Sequence, residues 1–325
     1  MQSATDQPID QIEVDQNDNL TLASGSGGDT LTLRSSLFRF KWENGRRYHG
    51  EHDGHYWGPN DDQQQVAEDI SHQMHTLVLD GLYAAPLSHV ERVLDIGCGI
   101  GVWAIDFADE HPDAEVIGID ISPIQPTLVP PNCRFEVDDI NRPWTFPDDY
   151  FDFVHIRNML GTVRDWVELH NQAFQHIRPG GWIEQVEIST ITRSDDETIP
   201  PGGALERWTD IWIEVGEKLG MSFHAAEISS QAIQAAGFTN LHERIIKLPF
   251  GTWPKDKTLK AWGELYRHFL LQGIEGFALR SLTDILKWTY DEAQVFLAEL
   301  RRELKDPNVH GYSELRIVYG QKPPS

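Results

Sequence analysis

The chain is poor in cysteine, in basic residues and in long apolar runs. Its two cysteines, Cys98 and Cys133, are too few for a disulfide framework, and Cys98 lies inside a glycine turn, a poor place for a structural bridge. A reducing intracellular compartment, cytoplasmic or nuclear, is the expected setting. The 27 Lys and Arg stand against 51 Asp and Glu, a formal charge of -24. Phosphate neutralisation needs clustered cations, so this balance argues against nucleic acid as a partner and equally against an anionic membrane surface. No stretch is apolar for long enough to span a bilayer, and no basic segment followed by an apolar run opens the chain. The acidity serves solubility and is compatible with a basic protein partner.

What is present centres on residues 92–103, Arg-Val-Leu-Asp-Ile-Gly-Cys-Gly-Ile-Gly-Val-Trp. Val93, Leu94 and Ile96 read as a short buried strand, and Val102 onward as a helix. Gly97, Gly99 and Gly101 therefore occupy a tight strand-to-helix turn, where a missing Cβ permits unusual backbone angles and close approach of a ligand to free N–H groups. A second apolar run, Glu115-Val-Ile-Gly-Ile-Asp120, ends in an acid placed to accept both ribose hydroxyls of a nucleoside. The spacing is D-x-G-x-G-x-G led by Asp95, not the G-x-G-x-x-G of dinucleotide enzymes.

The rest of the chain arranges itself around this turn. Residues 1–36 form an acidic, polar tail expected to be disordered, because little in them can offset the entropy of ordering. From Phe38 to Trp57 aromatic residues alternate with Arg39, Arg46, Arg47 and His49, which suggests a lid. His49, His52 and His55 recur at intervals of three, but Gly50 and Gly54 disfavour a helix there, and no metal site is expected. Residues 62–83 read as a helix capped by Asn60 or Asp61, with a stripe of Val66, Ile70, Met74, Leu77 and Val78.

Strands at 92–96, 115–120, 133–137, 148–156 and 182–188 alternate with helices, which implies an α/β, doubly wound, Rossmann-like parallel sheet. An acid just past the third strand can accept from an adenine amino group. Asp139 with Ile140 is the first choice and Asp138 the near alternative. His155, Arg157, Asn158 and Met159 close the fourth strand at the edge where open sheets bind ligands. After Ile188 the rhythm breaks into helices at 205–219, 225–236 and 256–306, a strand at 241–248 and a last strand at 312–320.

With these residues in view, the chain resembles the class I S-adenosylmethionine-dependent methyltransferases. More closely it resembles the fungal LaeA-like members, related to the velvet-associated regulator of secondary metabolism. The resemblance rests on Gly45-Arg46-Arg47-Tyr48-His49, Pro59-Asn60-Asp61, Asp95-Ile96-Gly97 through Ala108, and Ser122-Pro123-Ile124-Gln125-Pro126. It extends through Phe151-Asp152-Phe153, His155-Ile156-Arg157-Asn158, Arg178-Pro179-Gly180-Gly181, Trp253-Pro254-Lys255-Asp256 and Val318-Tyr319-Gly320. The chain departs from the common family pattern at Cys98, Ile100 and Ile140 while keeping the glycines and acids.

The resemblance implies one methyltransferase domain over 37–325: an N-terminal lid and helix (37–89), a cofactor-binding core (90–188), helical cap additions (189–224 and 250–307) and the last strand. It implies S-adenosyl-L-methionine as cofactor, with S-adenosyl-L-homocysteine as product. Asp95, Gly97, Cys98, Gly99, Gly101, Asp120, Ile121, Asp138, Asp139, Ile140, Arg157 and Asn158 are expected to hold it.

The sulfonium carries its own leaving group, so a base is needed only for a poor nucleophile. His155 and His49 are candidate bases, with Tyr48 and Arg157 as positioning groups; His155 reads equally well as a histidine bonded within the domain wall. The aromatic set Trp42, Tyr48, Trp57, Trp208, Trp212, Trp253 and Trp262 points to a small-molecule acceptor of secondary metabolism offering O, N or S. Family resemblance and acidity support the alternative, a regulatory protein working through protein partners. Calorimetry should detect binding of S-adenosylmethionine and none of NAD; tight NAD binding would overturn the methyltransferase reading.

Overall fold

The computed structural model describes residues 40–50 and 56–324. The acidic segment 1–36 and the residues His52 and His55 lie outside the described residues. The strands are β1 (Lys41–Glu43), β2 (Arg46–Tyr48), β3 (Arg92–Ile96), β4 (Glu115–Asp120), β5 (Cys133–Val137), β6 (Phe151–Arg157), β7 (Ile177–Ile188), β8 (Arg193–Ser194), β9 (Thr239–Pro249) and β10 (Gly311–Gln321). The helices are α1 (Asp62–Leu79), α2 (Val102–Glu110), α3 (Trp166–His176), α4 (Ala204–Leu219), α5 (Ala225–Ala235), α6 (Lys257–Arg280) and α7 (Tyr290–Lys305).

Strands β5, β4, β3, β6 and β7 lie side by side in parallel, and β1 and β2 form a separate hairpin. In β3, Val93 to Ile96 are buried, and in β6 every residue from Phe151 to Ile156 is buried. Such unbroken burial on both faces is what a parallel sheet covered by helices on both sides requires. The sheet is not parallel throughout, however. β10 runs antiparallel to β7, β8 and β9, with Ile317 opposite Val186. Apolar spacing reports which residues face the core but carries no information on strand direction, so the sequence could not show this reversal.

The first helix corrects an expectation. Asp61 caps it, accepting from the Gln64 N–H at 3.0 Å. Its buried face is not the apolar stripe: Val66 is 50% and Leu77 47% exposed, whereas Gln64, Ser71, His72 and His75 are buried beside Met74 and Val78. The helix lies against α6 and turns these polar side chains toward the ends of the central strands. The helical block at 256–306 is two helices divided by a π-turn, Ser281–Ile285. The second starts with a reciprocal Thr289–Glu292 capping box. No helix among the described residues is long and apolar enough to cross a membrane.

The late additions are joined by one buried side chain. Glu303 of α7 accepts from the N–H groups of Ala204 and Leu205, at 2.8 and 2.9 Å, where α4 begins with only a glycine cap. Glu303 thus supplies the side-chain cap that Gly203 cannot, and two distant segments become one roof. Glu303→Ala strands both buried donors and should lower stability by about 2–3 kcal/mol. A urea midpoint that does not move would show that α4 holds its place without it.

Candidate active site

The glycine turn takes the conformation its composition demands. Gly97, Gly99 and Gly101 have φ of 65°, 54° and 79°. Space is as restrictive as conformation: a Cβ on Gly97 would lie 2.0 Å from Met159 Sδ, and one on Gly101 2.3 Å from the Phe135 ring. Gly101 also forms the N-cap of α2.

Two acids grip the turn through adjacent amides. Asp120, at the end of β4, accepts from the Gly99 N–H at 2.9 Å and from the Ser122 N–H at 2.8 Å. Glu68, two turns into α1, accepts from the Ile100 N–H at 3.2 Å. Burial, with Asp95 adding to it, pushes the Asp120 carboxyl up to about 6, although its amide bonds pull the other way. Burial and the nearby Asp120 push Glu68 up to about 8. Arg157, at the end of β6, lines the same space; burial lowers its guanidinium to about 10, and it donates to His72 Nδ1 at 3.2 Å.

A cavity of about 250 Å³ opens above this floor. Gly97, Cys98, Gly99, Asp120, Ile121, Asp139, Ile140, Arg157 and Asn158 all line it. Asp139 accepts from the Asn141 N–H at 3.0 Å, whereas Asp138 turns its carboxylate back to the Asp139 N–H at 2.8 Å and does not line the cavity. Asn158 adopts φ 55° and donates to Ser71 Oγ, while both Glu187 oxygens accept from the Met159 N–H, fixing the bend beyond β6.

Five expected site residues do not reach the lining. Gly101 shapes the turn from behind, and Asp138 is turned away as described. Asp95 is buried and pairs with His155 Nδ1 at 2.8 Å. His155 is buried too, its ring stacked on Trp103 at 3.7 Å between centroids. Burial lowers its pKa against the pull of Asp95, and its place in the domain wall leaves no path to a bound acceptor. Tyr48 likewise is sealed beneath the Arg280 guanidinium, and burial pushes its hydroxyl up to about 12. Of the three candidate catalytic residues only His49 lines the cavity, with Nδ1 2.6 Å from Ser122 Oγ.

The opposite end of the cavity is apolar. Trp57 bonds through Nε1 to the Leu160 carbonyl and packs on Trp212, with Trp208 next to it. Phe250, Tyr266, Phe269, Leu270, Ile274 and Phe277 complete the walls, with Leu300 and Leu304 above. Trp42, Trp253 and Trp262 do not take part: Trp42 is 66% exposed, Trp253 bonds to the Gly311 carbonyl, and Trp262, half-buried, packs against the outside of the core. Glu68, Gln64 and Ser71 also line the cavity and were not among the expected site residues. Their i, i+4 and i+7 spacing along α1 is the one signal that could have exposed them, as a polar face beside the apolar stripe.

Comparison with known proteins decides what this geometry serves. A family model described as a methyltransferase domain matches residues 66–243. The chain belongs to that methyltransferase family. It is 38% identical over 320 residues to the methyltransferase pytC of Aspergillus terreus, covering 98% of each chain. It is 37% identical to the secondary metabolism regulator LAE1 of Cochliobolus heterostrophus, over 86% of this chain and 94% of that one. It is 35% identical to the protein-methionine methyltransferase laeA of Emericella nidulans, over 88% of this chain and 77% of that one.

The cofactor of this methyltransferase is S-adenosylmethionine, and the residues present suit it. The glycine turn leaves a cradle that side chains would fill, Asp120 faces it at the strand end, and Asp139 with Ile140 lies one strand further along. Asp120→Ala should weaken S-adenosylmethionine and S-adenosylhomocysteine alike, by about tenfold or more, since both carry the same ribose. Unchanged affinity on calorimetry would place the ribose elsewhere.

Proposed function

We propose that the acceptor is a small, uncharged, largely apolar molecule of secondary metabolism. One observation carries this reading: the charged residues lining the cavity, Glu68, Asp120, Asp139 and Arg157, all belong to its sheet-edge end, while the cap end offers aromatic and aliphatic side chains. The polar groups there are neutral, namely Ser189, Thr190, Thr192, Ser313 and Tyr266. A charged acceptor would lose its hydration without gaining an ion partner. A neutral one is held by apolar contact and oriented by a few hydroxyls.

In this reading the lid 37–89 and the additions 189–224 and 250–307 build the acceptor chamber, and residues 90–188 hold the cofactor. Asp120 takes the ribose, Asp139 and Ile140 the adenine, and Gly97 to Gly99, Arg157 and Asn158 the amino-acid end. When bound, S-adenosylmethionine supplies a methyl on a sulfonium leaving group. The protein's share is then positional: the aromatic walls hold the nucleophile in line and keep water out, an effect worth roughly 7–11 kcal/mol in favourable intramolecular cases. His49, bonded to Ser122, is the residue placed to take up a proton if the acceptor is a hydroxyl. Cys98 and Cys133, both buried and unpaired, suit a reducing intracellular compartment.

A second reading is favoured by the names of two relatives, a secondary metabolism regulator and a protein-methionine methyltransferase. It makes the acceptor, or the working partner, a protein. Incubation with labelled S-adenosylmethionine and host extract, fractionated into protein and small molecules, separates the two. Label is expected in the small-molecule fraction; label found on protein alone would overturn the proposal.

A further inference from the structure

The acids around the cavity differ in how their charge is used. Glu187 is held by the Met159 N–H, Glu184 by the N–H groups of Ala84 and Ala85, and Asp120 by two amides. Glu68 differs in where it stands: it reaches from α1 over the glycine turn, with Oε2 2.7 Å from where a Cβ on Gly99 would sit, accepts the Ile100 N–H and is bonded by the Gln64 side chain. Among the described residues no Lys, Arg or His nitrogen lies within salt-bridge distance of it. It faces Asp120 from β4, Tyr56 from the lid and Arg157 from β6, with Gln64 on its own helix. Arg157 is bonded to His72. A second carboxylate beside Asp120 at the floor of this cavity ionises at a cost unless a positive charge arrives there.

The cofactor and its product differ by one methyl cation: S-adenosylmethionine carries a sulfonium, S-adenosylhomocysteine a neutral thioether. We propose that Glu68 recognises the positive charge of the sulfonium, so that the site prefers the charged cofactor over the neutral product. This goes beyond the acceptor reading and holds whatever the acceptor is. Each transfer removes the charge that Glu68 answers to, which favours product release.

The electrostatics agree with the geometry. With its carboxyl pushed up to about 8, Glu68 is largely protonated in the empty site at neutral pH. A bound cation favours the ionised form, so S-adenosylmethionine should displace a proton on binding, and its affinity should rise with pH toward about 8. S-adenosylhomocysteine gains nothing from that ionisation. Asp120, which titrates lower, acts on the ribose that both ligands share.

Calorimetry on the full chain tests this with both ligands, from about pH 6 to about pH 9, in buffers of different ionisation enthalpy. Glu68→Gln keeps the shape and the acceptor for the Ile100 amide. It should weaken S-adenosylmethionine about tenfold and leave S-adenosylhomocysteine within about threefold, so product binding itself reports a folded site. The proton release seen with S-adenosylmethionine in the wild type should disappear. Glu68→Asp, which retains the charge, should keep the preference for S-adenosylmethionine. Equal weakening of both ligands by Glu68→Gln, or of neither, would overturn the proposal, because Glu68 would then contact shared atoms or none.

Discussion

Two half-buried carboxylates bonded to successive amides of one turn hold this molecule's centre together. Asp120 takes the Gly99 N–H and Glu68 the Ile100 N–H. The first bond ties the turn to the neighbouring strand, and the second ties it to a helix from outside the sheet. Neither residue could be replaced by an apolar one without taking the acceptor from one amide of the turn. The turn therefore enters the resting protein already shaped, at the expense of two acids standing close together in a place with little water. That crowding is the electrostatic condition a cationic cofactor relieves.

Much of the cofactor floor was legible because its chemistry is local. A buried strand, three glycines in alternate positions and a helix start dictate one another over a dozen residues, and β3, β4 and β5 occupy the spans the sequence indicated. What failed to show depended on contacts between distant segments. Asp138 and Asp139 are chemically equivalent in sequence; only the hydrogen bond of Asp138 to its neighbour's backbone separates them. His155 stood at the right strand end, yet Trp103 from the next helix covers its ring and Asp95 takes its proton-bearing edge. Glu68 was hidden by the common assumption that a helix buries its apolar stripe. On α1 tertiary packing chose the polar face, and two of the apolar residues were left to solvent.

The acceptor end was legible in kind and not in detail. Eleven tryptophans announced an aromatic cap, but the ones that line it come from the lid and α4, while others stack on His310 or sit at the surface. The remaining walls are contributed by α6 and α7, whose helical periodicity gave no hint of which residues would face a cavity and which the core. The result is a division of labour by distance along the chain. Donor recognition is compact in sequence, and acceptor recognition is scattered over several segments that can vary independently.

One carboxylate has a reach that its local bonds understate. Asp61 caps α1 and at the same time takes Arg46 of the β1–β2 hairpin in a two-pronged pair, at 2.6 and 2.8 Å, and the Arg47 N–H at 3.2 Å. Hairpin and helix start are thus a single rigid piece. Glu68 rides on the same helix about 10 Å further along its axis. The N-terminal hairpin is thus braced against the helix that carries the acid over the glycine turn. Lid and donor site therefore share one support, and the geometry of the acid over the turn is set in part by residues that never touch the cavity.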